Sequence, residues 1–252
     1  MYSILKRVIF FILLIGFWEL LFRCGICPEY VLPSTVSVYK TLIRGFQDHS
    51  FLIGIAISMK RIAIGYGISI GVGVFLGLLI GRFRIFEETL GSLISGLQTL
   101  PTICWLPLAL LWFGLNDTTI IFLVFMGAVF SITVATDAGV KSVPQLYIRA
   151  ARTMGAKRWN LYFEVIIPAA LPHIITGMKQ GWSFAWRSLM AAELLIVCLG
   201  LGHLMMIGRE LNDMSQVIAV MIVIIVIGIL VDRLFFVKVE QRIRERWGLV
   251  KG

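Results

Sequence analysis

Charged residues are scarce in this chain: Asp, Glu, Lys and Arg make up only 15% of its 252 residues, whereas hydrophobic residues make up 59%. A soluble domain usually carries about 25% charged residues, so the shortage excludes an ordinary water-soluble domain. The short alternating segments of a membrane β-barrel are also missing. Runs of about 20 mostly apolar residues recur instead, each long enough to cross a bilayer as a helix. We therefore expect an all-α membrane protein.

The sequence also lacks motifs that would couple an energy source, such as ATP or a proton gradient, to chemistry or transport. It contains no GxxxxGK[ST] phosphate loop, because Gly155-Ala156-Lys157 has no second glycine and no strand before it. No chain of carboxylates runs through the apolar segments, as a proton relay would require. We expect no catalytic residue, no metal ligand and no bound cofactor on this chain.

Cysteine is rare, with four residues in the chain. Cys24 and Cys27 form a lone CxxC pair, whereas a structural zinc site needs four ligands. No second Cys or His pair is spaced to complete such a site, so we interpret the pair as free or packed thiols.

The basic residues follow a pattern that indicates membrane topology. The net charge is +9, and Lys and Arg cluster in the loops predicted to be cytoplasmic and in the C-terminal tail. Cytoplasmic loops of membrane proteins collect such residues, so we favour topology over nucleic-acid binding as the cause of the excess. Lys6 and Arg7 place the N-terminus in the cytoplasm. We expect a multi-pass protein of the inner (cytoplasmic) membrane of the cell, in contact with lipid and with both termini cytoplasmic.

The apolar segments predict about six transmembrane helices in one domain that covers residues 1–252. Pro33 and Ser34 predict a short outer helix before the second span, and residues 199–214 predict an outer loop with a short amphipathic helix. Asp117 is expected to cap the helix of the fourth span. The predicted spans are 4–22, 62–81, 89–113, 118–139, 169–196 and 215–237.

The second predicted span is rich in glycine. Gly67-x3-Gly71 and Gly73-x3-Gly77 are small-xxx-small pairs, which let helix backbones approach closely within a membrane. The pairs indicate either a helix at the centre of the bundle or a membrane helix that merely tolerates glycine.

The third and fifth predicted spans contain polar residues and prolines that a lipid-facing helix would avoid. Proline removes a backbone hydrogen bond, and in a membrane the freed group must be satisfied by neighbours or by a water-filled cavity. These segments are candidates for the wall of a translocation path, although Pro101 also fits a purely structural kink. The candidate path residues are Gln98, Thr99, Pro101, Thr102, Gln180, Ser183 and Arg187.

Arg187 is the deepest cation of the fifth span. Ionisable groups at this depth usually face a cavity or one another. Arg187 therefore either supplies positive potential for an anion in the path or forms a buried ion pair, with Glu193 as one possible partner.

A polar, basic loop covers residues 140–168. Ser142-x-x-Gln145 fits a capping box with Pro144 in the first turn, which predicts a short helix over 143–154. Gly155 suits its C-terminal end. Ala150 and Ala151 are small, so another surface could approach the backbone closely.

The loop resembles a known motif. Ala150-Ala151, then Gly155, then Val165-x-Ile167-Pro168 match the spacing of the EAA loop in permease subunits of ATP-binding-cassette importers, the binding-protein-dependent, type I family. Arg149 stands where that family has Glu, so the docking contact at this position needs a different partner residue. The resemblance implies that the loop forms a coupling helix that docks a cytoplasmic ATPase. The implied docking residues are Arg149, Ala150, Ala151, Met154, Gly155 and Pro168.

The resemblance extends over nearly the whole chain and is strongest to the branch that handles aliphatic sulfonates, taurine, nitrate or bicarbonate. The runs LQTLPTICWLPLALLWFG, GMKQGWSFAWRSLMAAELL and GRELNDMSQVIAVMIVIIVIG carry it. It implies the type I ABC importer permease fold and a path for a small anionic solute. The implied partners are cytoplasmic ATPase subunits that bind ATP and Mg, a second permease copy in a homodimer, and an extracytoplasmic substrate-binding protein.

Three alternatives stay open. Other members of the branch import pyrimidine precursors of thiamine. A self-sufficient secondary transporter would need inverted repeats or intramembrane coupling residues, and neither is evident. A membrane scaffold would not need the polar fifth span.

Overall fold

The computed structural model describes residues 2–25, 28 and 30–246, and its regular elements in these ranges are all helical. Cys27 and the end of the basic tail, including Lys251, lie outside the described residues. The helices, numbered in chain order, are α1 (Tyr2–Arg23), α2 (Thr35–Gln47), α3 (Ser50–Arg82), α4 (Arg84–Gln98), α5 (Thr102–Phe113), α6 (Asp117–Lys141), α7 (Gln145–Thr153), α8 (Leu161–Leu195), α9 (Leu201–Glu210) and α10 (Met214–Ile243).

Four helices in the described part, α3, α6, α8 and α10, are long and apolar enough to cross a membrane. The pair α4 and α5 has the composition of a fifth span but bends by 103° at its break. α1 has 22 residues and includes four charged ones, Lys6, Arg7, Glu19 and Arg23. The first predicted span is thus a helix, and its insertion stays a prediction.

Two predicted spans differ from the helices that the structure shows. The third, over 89–113, is not one helix, because the backbone turns at residues 99–101 between α4 and α5. The second, over 62–81, lies within a longer helix, since α3 starts at Ser50. The Ser50 N–H donates to the Asp48 carboxylate at 2.9 Å, which caps the helix and lowers the pKa of Asp48. Lys60 and Arg61, which directly precede the predicted second span, both lie within α3.

The chain divides into two compact units, and α3 and α10 each contribute to both. In the unit of residues 1–58 and 197–226, the end of α1 is fastened to the start of α2. Glu19 accepts hydrogen bonds from the Thr35 hydroxyl at 2.7 Å and the Thr35 N–H at 3.2 Å. Trp18 donates to the Pro33 carbonyl at 3.0 Å. The short outer helix predicted after Pro33 is α2, and Ser34 caps it.

The unit of residues 59–196 and 227–252 is built around α6. Small residues occupy every fourth position of α3 where it crosses α6: Gly65, Ser69, Gly73, Gly77 and Gly81. A Cβ atom at Gly77 would lie 2.6 Å from the Thr133 carbonyl oxygen, and one at Gly65 would lie 2.8 Å from that of Ile121. The two backbones therefore touch, which only small residues permit.

The other predicted glycine pair of α3, Gly67 and Gly71, makes no close contact with another described helix of its unit. A Cβ atom at Gly67 or Gly71 would meet no described atom within 4 Å. Close helix packing is therefore confirmed for Gly73 and Gly77, whereas Gly67 and Gly71 face open space among the described residues, as in a membrane helix that merely tolerates glycine.

The α8 helix packs on another side of α6. A Cβ atom at Gly181 would lie 2.7 Å from the Ile132 side chain. Close approach from α3 and α8 buries α6 along most of its length. α6 is thus the central helix of this unit, and α7 follows directly from its end.

Candidate coupling helix and solute cavity

The α7 helix has one face that packs and one face that is exposed. Ala151 is buried, and Ile148 packs against a core of Val143, Ala170 and Ile174. This core joins α7 to the first turns of α8 after the π turn at Leu161–Ile166. The short helix is therefore fixed to the transmembrane helices by its inner face.

The C-terminal end of α7 lies where the sequence predicted it. Gly155 adopts φ +89°, in the left-handed region that favours glycine. The Gly155 N–H donates to the Arg152 carbonyl at 3.0 Å, and the Ala156 N–H donates to that of Ala151 at 2.9 Å. This pair of bonds is a Schellman motif.

The predicted capping box at the start of α7 is wrong. Pro144, not Ser142, directly precedes the helix and supplies no side-chain cap. Ser142 instead ends α6, where its hydroxyl donates to the Gly139 carbonyl at 2.8 Å. Similarly, Asn116 caps α6 through the N–H groups of Thr118 and Thr119, whereas Asp117, the predicted cap, begins the helix.

The outer face of α7 is apolar and basic. Leu146 is 72% exposed and Met154 is 81% exposed, and Ala150 lies between them on the same helix face. Arg149 is exposed and makes no ion pair within the described ranges. Three of the predicted docking residues, Arg149, Ala150 and Met154, lie on this outer face, and a fourth, Gly155, lies at the end of the helix. Ala151 faces inward, and Pro168 lies in α8 beyond the π turn.

A cavity of about 350 Å³ opens where the chain breaks between α4 and α5. The break, α6 and α8 all contribute to its wall. Five of the predicted path residues line it, namely Gln98, Thr99, Pro101, Thr102 and Arg187. Gln180 and Ser183 do not line it and are exposed on α8. The turn that replaces the predicted continuous third span is therefore what shapes the cavity.

Arg187 is held in position by its own helix. Its Nε donates to the Ser183 carbonyl at 3.1 Å, and its guanidinium carbon lies 5.1 Å from the centre of the Phe184 ring. The side chain is exposed and makes no ion pair among the described residues. The alternative in which Arg187 pairs with Glu193 is wrong, because Glu193 binds Arg61.

The pair of Arg61 and Glu193 was missed by sequence reasoning. The Arg61 guanidinium donates to Glu193 at 2.8 Å and to Asp117 at 2.6 Å, which joins α3, α6 and α8. The side chains of Arg61 and Glu193 are 4% and 0% exposed, and that of Asp117 is 59% exposed. Two opposite charges within apolar segments were the signal that could have found this pair.

Comparisons with known proteins found a matching family model and several relatives. The family model described as "Binding-protein-dependent transport system inner membrane component" matches residues 69–245. A putative ABC transporter permease of Methanocaldococcus jannaschii is 40% identical over 86% of this chain and 82% of its own length. The nitrate import permease NrtB of a Synechocystis species is 32% identical over 80% of this chain and 77% of its own.

A relative named for another solute and one solved structure extend the likeness. A putative aliphatic sulfonates transport permease, SsuC of Bacillus subtilis, is 29% identical over 98% of this chain and 88% of its own. A chain of the inward-facing MetNI methionine ABC transporter matches with a TM-score of 0.65 at 14% identity, over 77% of this chain and 96% of its own. The structural match supports the fold.

Proposed function

The chain belongs to the family of inner-membrane components of binding-protein-dependent transport systems, and from this premise we propose that it forms the translocation path of an ATP-driven importer for a small oxyanion. It is a multi-pass permease subunit with the type I ABC importer permease fold. The observation that carries the proposal is the exposed apolar face of α7.

The outer face of α7 has the composition of a docking surface. Leu146 and Met154 expose apolar side chains that the fold of this chain does not use. Ala150 between them allows a partner to approach the helix backbone. Arg149 and Arg152 add positive charge, so an acidic groove on a cytoplasmic ATPase is the complementary surface. With Arg149 in place of the family's Glu, the facing residue of the partner is expected to be acidic.

The inner face of α7 supplies the mechanical link. Ile148 of α7 packs with Val143, which lies between α6 and α7, and with Ala170 and Ile174 of α8. A displacement of α7 would therefore shift the helices that line the cavity, and rigid-body shifts of this kind interconvert transporter states. ATP and Mg bind to the partner ATPase in this scheme, and the permease itself binds no cofactor.

The proposed cargo follows from the relatives and from the cavity. NrtB is named for nitrate and SsuC for aliphatic sulfonates, and Arg187 lines the cavity here. An extracytoplasmic binding protein delivers the solute, a second copy of this permease completes the path, and both termini are cytoplasmic.

Co-purification tests the docking face. We expect the permease to retain its ATPase during affinity purification, and the double variant Leu146→Glu/Met154→Glu to retain at least about fivefold less. Truncating or charging a buried interface anchor costs more than about 1 kcal/mol, which corresponds to such a ratio. Because both side chains are exposed, the variant should fold normally, as checked by size-exclusion chromatography and melting temperature.

Leu211→Glu is the matched control. Leu211 is 70% exposed in the turn between α9 and α10, which is predicted to face the outside. This variant should hold the ATPase as the wild type does. A wild-type permease that retains no ATPase would refute the docking role and would bring the secondary transporter back into consideration.

A further inference from the structure

The cavity between the α4–α5 break, α6 and α8 has an unbalanced charge. Arg187 is the one charged residue among the described residues of its wall, which contains no carboxylate. The Nε of Arg187 is engaged by the Ser183 carbonyl, whereas its terminal amino groups have no partner among the described residues. A cavity with one cation and no compensating acid attracts anions.

A buried hydroxyl in the same wall has no hydrogen-bond partner. Ser131 of α6 is 4% exposed, and its Oγ is unpaired within the part of the chain that the structure describes. Buried hydroxyls are nearly always paired, so an exception that lines a cavity indicates a ligand. Thr136 also has an unpaired hydroxyl but does not line this cavity. Ser131 is therefore the buried donor that is available to a molecule in the cavity.

A second hydroxyl lies on the facing helix. Ser188 is 6% exposed and lines the cavity next to Arg187. A Cβ atom at Gly127 would overlap the Ser188 hydroxyl. Gly127 lies one turn before Ser131 on α6, so the absence of its side chain leaves room for Ser188 beside Ser131.

We propose that Arg187, Ser131 and Ser188 form a subsite for an oxyanion such as nitrate, bicarbonate or a sulfonate group. An oxyanion carries acceptors and a negative charge, which match two hydroxyl donors and the free amino groups of a guanidinium. A neutral pyrimidine would gain nothing from the charge. The inference rests on the proposed function for one point only, that the molecule in this cavity is the cargo.

Thiol labelling of the permease tests the subsite without any partner protein. Ser131→Cys is made in a chain whose four native cysteines are replaced by serine. It is labelled in detergent with a methanethiosulfonate that carries either a sulfonate or a trimethylammonium group, and each rate is divided by that of a small free thiol. We expect the anionic reagent to react at least about tenfold faster, since a cleft of one charge sign concentrates counter-ions by about that factor or more.

Two variants make the result specific. Arg187→Gln in the same background should remove most of the preference for the anionic reagent. Ser95→Cys should show none, because Ser95 lines a different cavity that contains both basic and acidic residues, among them Arg84, Glu87 and Asp137. Labelling that is equal for both reagents, or a preference that survives Arg187→Gln, would overturn the proposal.

Accessibility is tested at both hydroxyl positions. Ser188→Cys should repeat the preference seen for Ser131→Cys. If neither cysteine is labelled by the sulfonate reagent, the cavity does not admit anions and the subsite is refuted. These outcomes do not depend on the ATPase, so failure of the subsite and failure of the docking role are distinguishable.

Discussion

Replacing Arg61 by leucine is expected to lower the free energy of unfolding by about 3–5 kcal/mol, the cost of removing one partner from a buried ion pair. The change removes the positive charge that faces the fully buried carboxylate of Glu193. It also deletes the hydrogen bonds that join α3 to α6 and α8. Thermal unfolding of the purified permease in detergent, followed by tryptophan fluorescence, measures the loss.

A second substitution separates charge burial from loss of packing. The double variant Arg61→Leu/Glu193→Leu should recover most of the lost stability, because an apolar pair of similar volume often replaces a buried ion pair at no net cost. Arg84→Gln is the control, since its pair with Glu88 is exposed and should contribute less than about 1 kcal/mol. An Arg61→Leu protein as stable as the wild type would show that the buried charges do not hold the three helices together.

Gly77→Ala is expected to destabilise the protein by about 2–3 kcal/mol, towards the upper range for overpacking. The new methyl group would lie 2.6 Å from the Thr133 carbonyl oxygen and 2.5 Å from the Thr136 Cβ atom. A backbone oxygen cannot turn aside as a flexible side chain can, so α3 and α6 would have to separate. The midpoint of thermal unfolding should fall accordingly.

Gly67→Ala provides the matched comparison on the same helix. Its methyl group would meet no described atom within 4 Å, and alanine favours a helix over glycine by about 1 kcal/mol. This variant should be as stable as the wild type or slightly more stable. Equal destabilisation by both substitutions would contradict the assignment of the contact between α3 and α6.

Local signals in the sequence predicted the local structure of the loop well. Gly155 ends α7 because only a glycine readily takes the left-handed conformation of a Schellman motif. Ser34 and Pro33 likewise marked the start of α2. The capping box failed because Ser142 belongs to the end of α6, and sequence spacing does not show which of two adjacent helices a side chain serves.

Features that depend on distant contacts could not be predicted in the same way. Gly67-x3-Gly71 and Gly73-x3-Gly77 look alike in sequence, and only the packing of α6 distinguishes them. Arg61 lies just before the predicted second span, and its carboxylate partner Glu193 could not be found from local sequence because it lies 132 residues away. Pro101 indicated a break in the third span, but not the size of the bend or the cavity that it opens.

The order of synthesis gives the ion pair at Arg61 a consequence for biogenesis. Ribosomes add about 5–20 residues per second, so Glu193 emerges roughly 7–26 seconds after Arg61. Asp117, only 56 residues behind Arg61, emerges much sooner. During that interval Arg61 has Asp117 as the earlier of its two acidic partners and lacks the buried carboxylate of Glu193. The buried ion pair therefore forms only after Glu193 of α8 has been synthesised, so the contact between α3 and α8 at Arg61 is a late step of folding.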